Sequence, residues 1–265
     1  MPYAQNEIDG TRIYFEDDGG DGPTVIFSGG ILDVVQSVRR SEIARGVSNE
    51  EFRKVFVDHR GLGKSDKPHD VQAYAMPRRV DDTLSVLDAI GVERAHFVGT
   101  SWGGRLGFGV GEYAPQRIAS LVLGGQQPYA IDPDGPLTQR VGAGIEASQT
   151  RGMEAFVETL EEASELRFPE PERSWYIEQD PKAVRAAWKS ALDEGAVASD
   201  LGSWQMPCLI FAGSNDVDFH DLARRAADEI PKGRFISIEA DDHVGAHMRN
   251  KQVIPLMLEQ LRGRH

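Results

Sequence analysis

Six short apolar runs alternate with helical patterns along most of this chain, and that alternation constrains its fold more than any other feature. The runs are Thr24 to Phe27, "KVFVD" from Lys54 to Asp58, "RAHFVG" from Arg94 to Gly99, "RIASLVLGG" from Arg117, "MPCLIFAG" from Met206 and "RFISIEA" from Arg234. Their apolar residues are continuous, the pattern of strands buried on both faces. "MPRRVDDTLSVLDAIG" sets Val80, Leu84, Leu87 and Ile90 at helical spacing and stops at Gly91. "FHDLARRAADEI" does the same with Phe219, Leu222, Ala226 and Ile230, and "VIPLMLEQL" reads as a final helix. Helical crossovers between buried strands predict an α/β fold. The expectation is a mostly parallel twisted sheet of about eight strands with helices on both faces. The start adds an antiparallel hairpin, with Ile8 before a turn at Asp9-Gly10 and Arg12 to Phe15 after it.

The alternation fails once. Between Gln126 and Gln205 only helical patterns appear: Met153, Phe156, Val157 and Leu160 share one face, and Asp180-Pro181 opens a helix bearing Val184, Ala187, Trp188, Ala191 and Leu192. The reading is a core domain from 1–125 and 205–265, with 126–204 a helical cap inserted after the sixth strand. Length permits this, since 265 residues suffice for one large α/β domain.

A net charge of −13 argues against nucleic acid or an anionic membrane surface as partner. The lone cysteine, Cys208, excludes an internal disulfide framework, fits a reducing compartment and lies in an apolar strand as a small core residue. "MPYAQNEIDG" shows no basic and apolar leader, and no apolar run reaches bilayer length, so a cytoplasmic location is expected. The oligomeric state, monomer or homodimer, stays open.

Ligands of open parallel sheets bind at the carboxyl ends of the strands, so the residues there carry the functional reading. Ser28-Gly29-Gly30 follows the first run, Thr100-Ser101-Trp102 the third, Ser214-Asn215-Asp216 the fifth and Asp241-Asp242-His243 the sixth. A serine, an aspartate and a histidine at strand ends are the set needed for acyl transfer. The serine attacks, the histidine relays its proton, and the carboxylate fixes the imidazole tautomer. "GTSWG", Gly99 to Gly103, is Gly-x-Ser-x-Gly between a strand and a helix, the pattern of a sharp turn that presents the serine hydroxyl.

One stretch looks like something else. "GLGKS", Gly61 to Ser65, ends like a phosphate-binding loop, but the position that should hold the first glycine is Asp58, which would set negative charge against phosphate. Nor do the loop acids Asp216, Asp218, Asp241 and Asp242 come with His or Cys at ligand spacing, so neither a cofactor nor a metal is expected.

With these motifs in place, the whole chain resembles the α/β-hydrolase fold, in its capped serine-hydrolase branch. "DHRGLGKSDKP" is similar to that family's Asp-x-Arg-Gly-x-Gly-x-Ser-x-x-Pro segment, a loop beside the active site. "DDTLSVLDAIGVERAHFVGTSWGG" looks like its helix, strand and nucleophile elbow. The resemblance implies Ser101 as nucleophile, Asp216 as the acid and His243 as the base, with Asp218 and His247 as nearby rivals. His59, His69, His96 and His220 are read as surface or structural. The implied oxyanion donors are the backbone N–H groups of Trp102 and Gly30. Ser28 stands where the family usually has histidine, and Gly107, Gly109 and Gly111 in the helix after the elbow point to close packing. A serine nucleophile argues against the fold's epoxide hydrolase and haloalkane dehalogenase branches, which the resemblance says use aspartate. The implied activity is hydrolysis of an ester, thioester or lactone of a small or medium soluble substrate. C–C bond hydrolysis, peroxyacid formation, enol-lactone hydrolysis and a non-turnover receptor are the alternatives. Tyr129, Trp175, Tyr176, Trp188 and Trp204 are cap or cap-edge aromatics, read as packing more than pocket.

Overall fold

The computed structural model describes residues 2–239 and 241–263. The chain runs β1 (Tyr3–Gln5), β2 (Arg12–Asp17), β3 (Thr24–Ser28), α1 (Val35–Arg40), α2 (Glu42–Arg45), β4 (Arg53–Val57), α3 (Met76–Ala89), β5 (Ala95–Thr100), α4 (Trp102–Tyr113) and β6 (Ile118–Gly124). Four helices follow: α5 (Pro136–Arg151), α6 (Met153–Ala163), α7 (Glu172–Ile177) and α8 (Pro181–Asp193). The last part is β7 (Cys208–Gly213), α9 (His220–Glu229), β8 (Gly233–Ile238), α10 (His243–Met248) and α11 (Ile254–Leu261). Among the described residues, no helix is long and apolar enough to cross a membrane.

The eight strands form one sheet in the order β1-β2-β4-β3-β5-β6-β7-β8. β2 pairs antiparallel with both β1 and β4, and the pairs β4-β3, β3-β5, β5-β6, β6-β7 and β7-β8 are parallel. The chain goes from β3 outward to β4, then returns across β3 to β5. That reversal makes the β3–β5 boundary a topological switch point, the place where such sheets open a crevice at their carboxyl ends. The expected hairpin differs in detail. Its first strand is Tyr3–Gln5, and Ile8 sits exposed in the connection. Asn6 is the reason, because its side chain accepts the N–H groups of Ile8 and Asp9 and shapes the loop ahead of Asp9-Gly10.

Two apolar layers flank the sheet. Phe97, Leu106, Phe108, Leu123 and Ile210 belong to one, and Val25, Phe27, Phe56, Leu209 and Met257 to the other. A third cluster lies between α5, α6, α7, α8 and the loops at the strand ends, joining Val141, Phe156 and Val184 to Leu32 and Leu62. Polar ties hold these helices there. The Tyr176 hydroxyl donates to Asp33 at 2.7 Å, Gly63 N–H to Gln179 at 2.9 Å and Met76 N–H to Glu194 at 2.9 Å. Fully buried Arg105 of α4 donates to the carbonyls of Gln127, Tyr129 and Gly195, so one guanidinium grips both ends of the helical segment.

The "GLGKS" glycines have a structural reason. Gly63 adopts φ +52°, and a side chain on it would collide with the Asp58 carboxylate. That carboxylate is taken by the N–H groups of Val35 (2.6 Å) and Lys64 (2.8 Å). The loop closes on its own aspartate. The helical glycines mark close packing, as their spacing implies. A Cβ on Gly107 would lie 2.2 Å from Leu123 Cδ2 and 3.0 Å from Phe97 Cε1, both on buried side chains of the sheet. Helix propensity alone would make Gly107→Ala stabilising by about 1 kcal/mol. Overpacking opposes it, so Gly107→Ala is expected to destabilise by about 1–3 kcal/mol in urea unfolding; a raised midpoint would show that the helix–sheet contact has slack.

Candidate active site

Ser101 sits between the last residue of β5 and the first of α4, with φ 51° and ψ −114°. A non-glycine residue there carries strain of about 1–3 kcal/mol, which surrounding structure must impose. The neighbours impose it. A Cβ on Gly99 would lie 2.3 Å from Gly103 O, and one on Gly103 would lie 2.2 Å from Ser28 O. Backbone therefore meets backbone where β5, α4 and the end of β3 converge, and Gly103 N–H donates to Gly29 O at 2.8 Å. Only residues without side chains fit two positions before and two positions after the serine.

The two partners arrive from neighbouring strand ends. Asp216 lies three residues past β7 in a turn closed by its own N–H to Gly213 O at 3.0 Å. His243 opens α10, whose N-cap Asp242 accepts from Gly245 N–H at 2.7 Å. His243 Nδ1 stands 2.8 Å from Asp216 Oδ2, and its Nε2 stands 2.9 Å from Ser101 Oγ. With Nδ1–H donating to the carboxylate, Nε2 is left as the acceptor for the serine hydroxyl. Asp216 is 3% exposed, so its charge faces the imidazole with little screening by water. Burial disfavours a charged His243, but the Asp216 carboxylate and its hydrogen bond outweigh that and hold the pKa above 6.5.

The rivals have other partners. Asp218 accepts Thr138 N–H at 3.0 Å and so anchors the first turn of α5. Asp241 pairs with Arg249. His247 Nε2 faces Asp33 Oδ2 at 2.9 Å. His59, read from sequence as surface or structural, is buried under the loop after β3. Its Nε2 lies 3.1 Å from Ser28 Oγ and 3.0 Å from Gly29 O. Burial and nearby Arg79 push its pKa down to about 4, leaving a neutral ring at neutral pH. The His59 imidazole, just past β4, thus braces this loop beside Ser28. Of the two oxyanion candidates, Trp102 opens α4, and its N–H has no intrahelical partner by position. Gly30 N–H instead donates to Asp33 Oδ2 at 2.6 Å.

Ser101 and His243 open onto a cavity of about 90 Å³ whose lining is mostly apolar, including Leu137, Val141, Leu160, Trp188 and Phe219. Tyr176 and Trp188, read as packing, are also pocket residues. Sequence reasoning missed Asp33; a buried acid just before α1 reads as a helix-capping residue, and nothing local tells more.

A family profile described as alpha/beta hydrolase fold matches residues 23–247. The chain belongs to the alpha/beta hydrolase fold family. It is similar to Epoxide hydrolase B of Mycobacterium tuberculosis, with 33% identity over 124 residues, 46% of this chain and 34% of that protein. It is also similar to Epoxide hydrolase 2 of Siraitia grosvenorii, with 29% identity over 103 residues, 39% of this chain and 32% of that protein. The chain thus spans about a third of the length of these curated relatives. In structure it is similar to the enol-lactonase from Burkholderia xenovorans LB400, with TM-score 0.81 and 21% identity over 98% of this chain and 100% of that one. At that identity the likeness is one of fold.

The raised His243 pKa gives a signed expectation. A base must be neutral to take the serine proton, so kcat/KM should rise with pH and reach half its plateau above 6.5. Asp216→Asn should lower kcat by about 10⁴ through loss of the tautomer, and shift the inflection of residual activity downward. Asp218→Asn should cost less than about tenfold, since Asp218 touches α5 and not the imidazole. A larger loss in Asp218→Asn would move the acid.

Proposed function

We propose that this chain is a serine hydrolase that cleaves a carboxylic ester, thioester or lactone through an acyl-serine intermediate. One observation carries the reading. The strained Ser101 presents its hydroxyl to His243, itself held by buried Asp216, at the mouth of an apolar cavity. In the first half-reaction Ser101 Oγ attacks the carbonyl carbon while His243 Nε2 takes the hydroxyl proton. The charge gathering on the carbonyl oxygen is held at Trp102 N–H, and at Gly30 N–H once Asp33 yields that donor. Collapse breaks the acyl C–O (or C–S) bond, and the imidazolium returns its proton to the leaving group. Water then repeats the sequence on the acyl-serine, with His243 as base, and frees the acid and Ser101.

Serine also argues against epoxide opening, the activity named for the two epoxide hydrolases above. A serine attacking an epoxide carbon would form an ether, which water does not cleave under these conditions. A carboxylate nucleophile would form a cleavable ester. The cavity's size and apolar lining favour a short or medium acyl group. Buried Cys208, whose thiol pKa is pushed up by desolvation, favours a structural role for it in a reducing compartment such as the cytoplasm.

Turnover of p-nitrophenyl esters graded in acyl length tests this. The expectation is a burst of p-nitrophenol followed by steady release, with kcat/KM highest for short to medium chains. Ser101→Ala should lose at least about a thousandfold while unfolding at the wild-type midpoint. Full activity in folded Ser101→Ala would remove the serine from the mechanism.

A further inference from the structure

Arg79, in the first turn of α3, is a buried cation without an anion of its own. Among the described residues its Nη1 has no hydrogen-bond partner and no carboxylate pairs with its guanidinium. The two acids whose charge reaches it are engaged elsewhere. Asp82 holds Arg60 through both oxygens (2.7 and 2.6 Å), and Glu194 accepts Met76 N–H at 2.9 Å and faces Arg105 at 3.5 Å. Burial, opposed mainly by the charge of Glu194, lowers the Arg79 pKa to about 10, so the group is still protonated at neutral pH. An unpaired buried charge is destabilising. The positive ends of two helix dipoles add to that, because Arg79 starts in the first turn of α3 and reaches the first residue of α4.

What Arg79 touches is Trp102. Its Nη2 donates to Trp102 O at 3.3 Å, and its guanidinium lies 4.1 Å from the centre of the indole ring. Both the backbone and the side chain of the residue after Ser101 are therefore held by one cation. A residue's own N and O are at most about 4 Å apart, which puts Nη2 within roughly 8 Å of the Trp102 N–H. The same charge reaches His59, the ring that stands 3.0 Å from Gly29 O beneath the loop of the other oxyanion candidate, Gly30. Arg79 is absent from the lining of the cavity at Ser101, so it acts through these neighbours and not on substrate. Natural proteins keep a locally destabilising group mainly where function uses it. A positive charge behind Trp102 N–H, shielded from water, favours negative charge in front of it.

We propose that Arg79 is a positioning residue for the oxyanion, fixing Trp102 and adding an uncompensated positive charge on the side of the site where the carbonyl oxygen becomes negative. The assignment rests on the ester-hydrolase reading above and adds to it the source of part of its transition-state stabilisation. The neutral ester gains little from this charge, whereas the tetrahedral anion gains most.

Kinetics of p-nitrophenyl butyrate with Arg79→Met and Arg79→Lys test this, with butylboronic acid as inhibitor. Its boron bonds to Ser101 Oγ and becomes a tetrahedral anion while His243 keeps the hydroxyl proton. Arg79→Met should lower kcat at least about tenfold, weaken the boronic acid by a similar factor and leave KM within about twofold. Arg79→Lys keeps the charge and should stay within about threefold of wild type at neutral pH. A buried ammonium titrates below its usual value, so kcat of Arg79→Lys should fall between about pH 7 and 9, where the wild-type guanidinium stays charged. Unchanged kcat and boronic acid affinity in folded Arg79→Met would overturn the proposal. Equal losses in both variants with a raised KM would overturn it as well, making Arg79 a mere support for the indole ring. If Arg79→Met does not fold, the alkaline limb of Arg79→Lys decides alone, and a profile there like that of wild type contradicts the proposal. Failure of the hydrolase reading has a separate signature, equal release of p-nitrophenol by wild-type and Ser101→Ala protein.

Discussion

The approach of Gly103 to the backbone of Ser28 and Gly29 is the contact on which the site depends. It lets α4 begin against the end of β3, forces Ser101 to φ 51° and brings the loop after β3 beside the serine. Local strain of that size persists only on a rigid base. The base is the middle of the sheet, where β3, β5 and β6 are paired in parallel and buried on both faces. Hydrophobic burial in the two flanking layers thus offsets the strain of the turn at Ser101.

Buried charge is the second organising element. Asp216 and Asp33 are both nearly inaccessible to water, and each faces one histidine of α10, His243 and His247 respectively. The two pairs differ in what lies on the far side of the ring. His243 presents Nε2 to Ser101, whereas His247 Nδ1 has no hydrogen-bond partner among the described residues. One short helix therefore carries the histidine that meets Ser101 on its first residue and part of a pocket wall on its fifth. Arg105 plays the corresponding structural part for the helices over the site, since three backbone carbonyls at their two ends converge on its guanidinium.

The apolar runs made the parallel sheet legible because each is long enough to cross a core and short enough to exclude a helix. Ser101, Asp216 and His243 were legible because each follows such a run, and strand ends converge in this topology. The glycines of α4 announced close packing, and Leu123 and Phe97 are what they pack against. Less was legible wherever contacts join distant segments. Asp33, Tyr176 and His247 lie far apart in the chain and meet only because the helices after β6 fold back over the sheet. Gly30 was the natural second oxyanion donor by position, yet its N–H is held by Asp33, a tertiary contact that spacing does not reveal. Likewise His59 supports the loop after β3 from a neighbouring strand end, which no local pattern in "DHRGLGKS" signals.

The most direct measurement is intact-mass labelling with a fluorophosphonate, which forms a covalent adduct only with an activated hydroxyl. Wild-type protein should gain one adduct, Ser101→Ala none, and His243→Ala one at a much slower rate. An adduct that persists in Ser101→Ala, or none at all on folded wild-type protein, would contradict an activated serine at the end of β5.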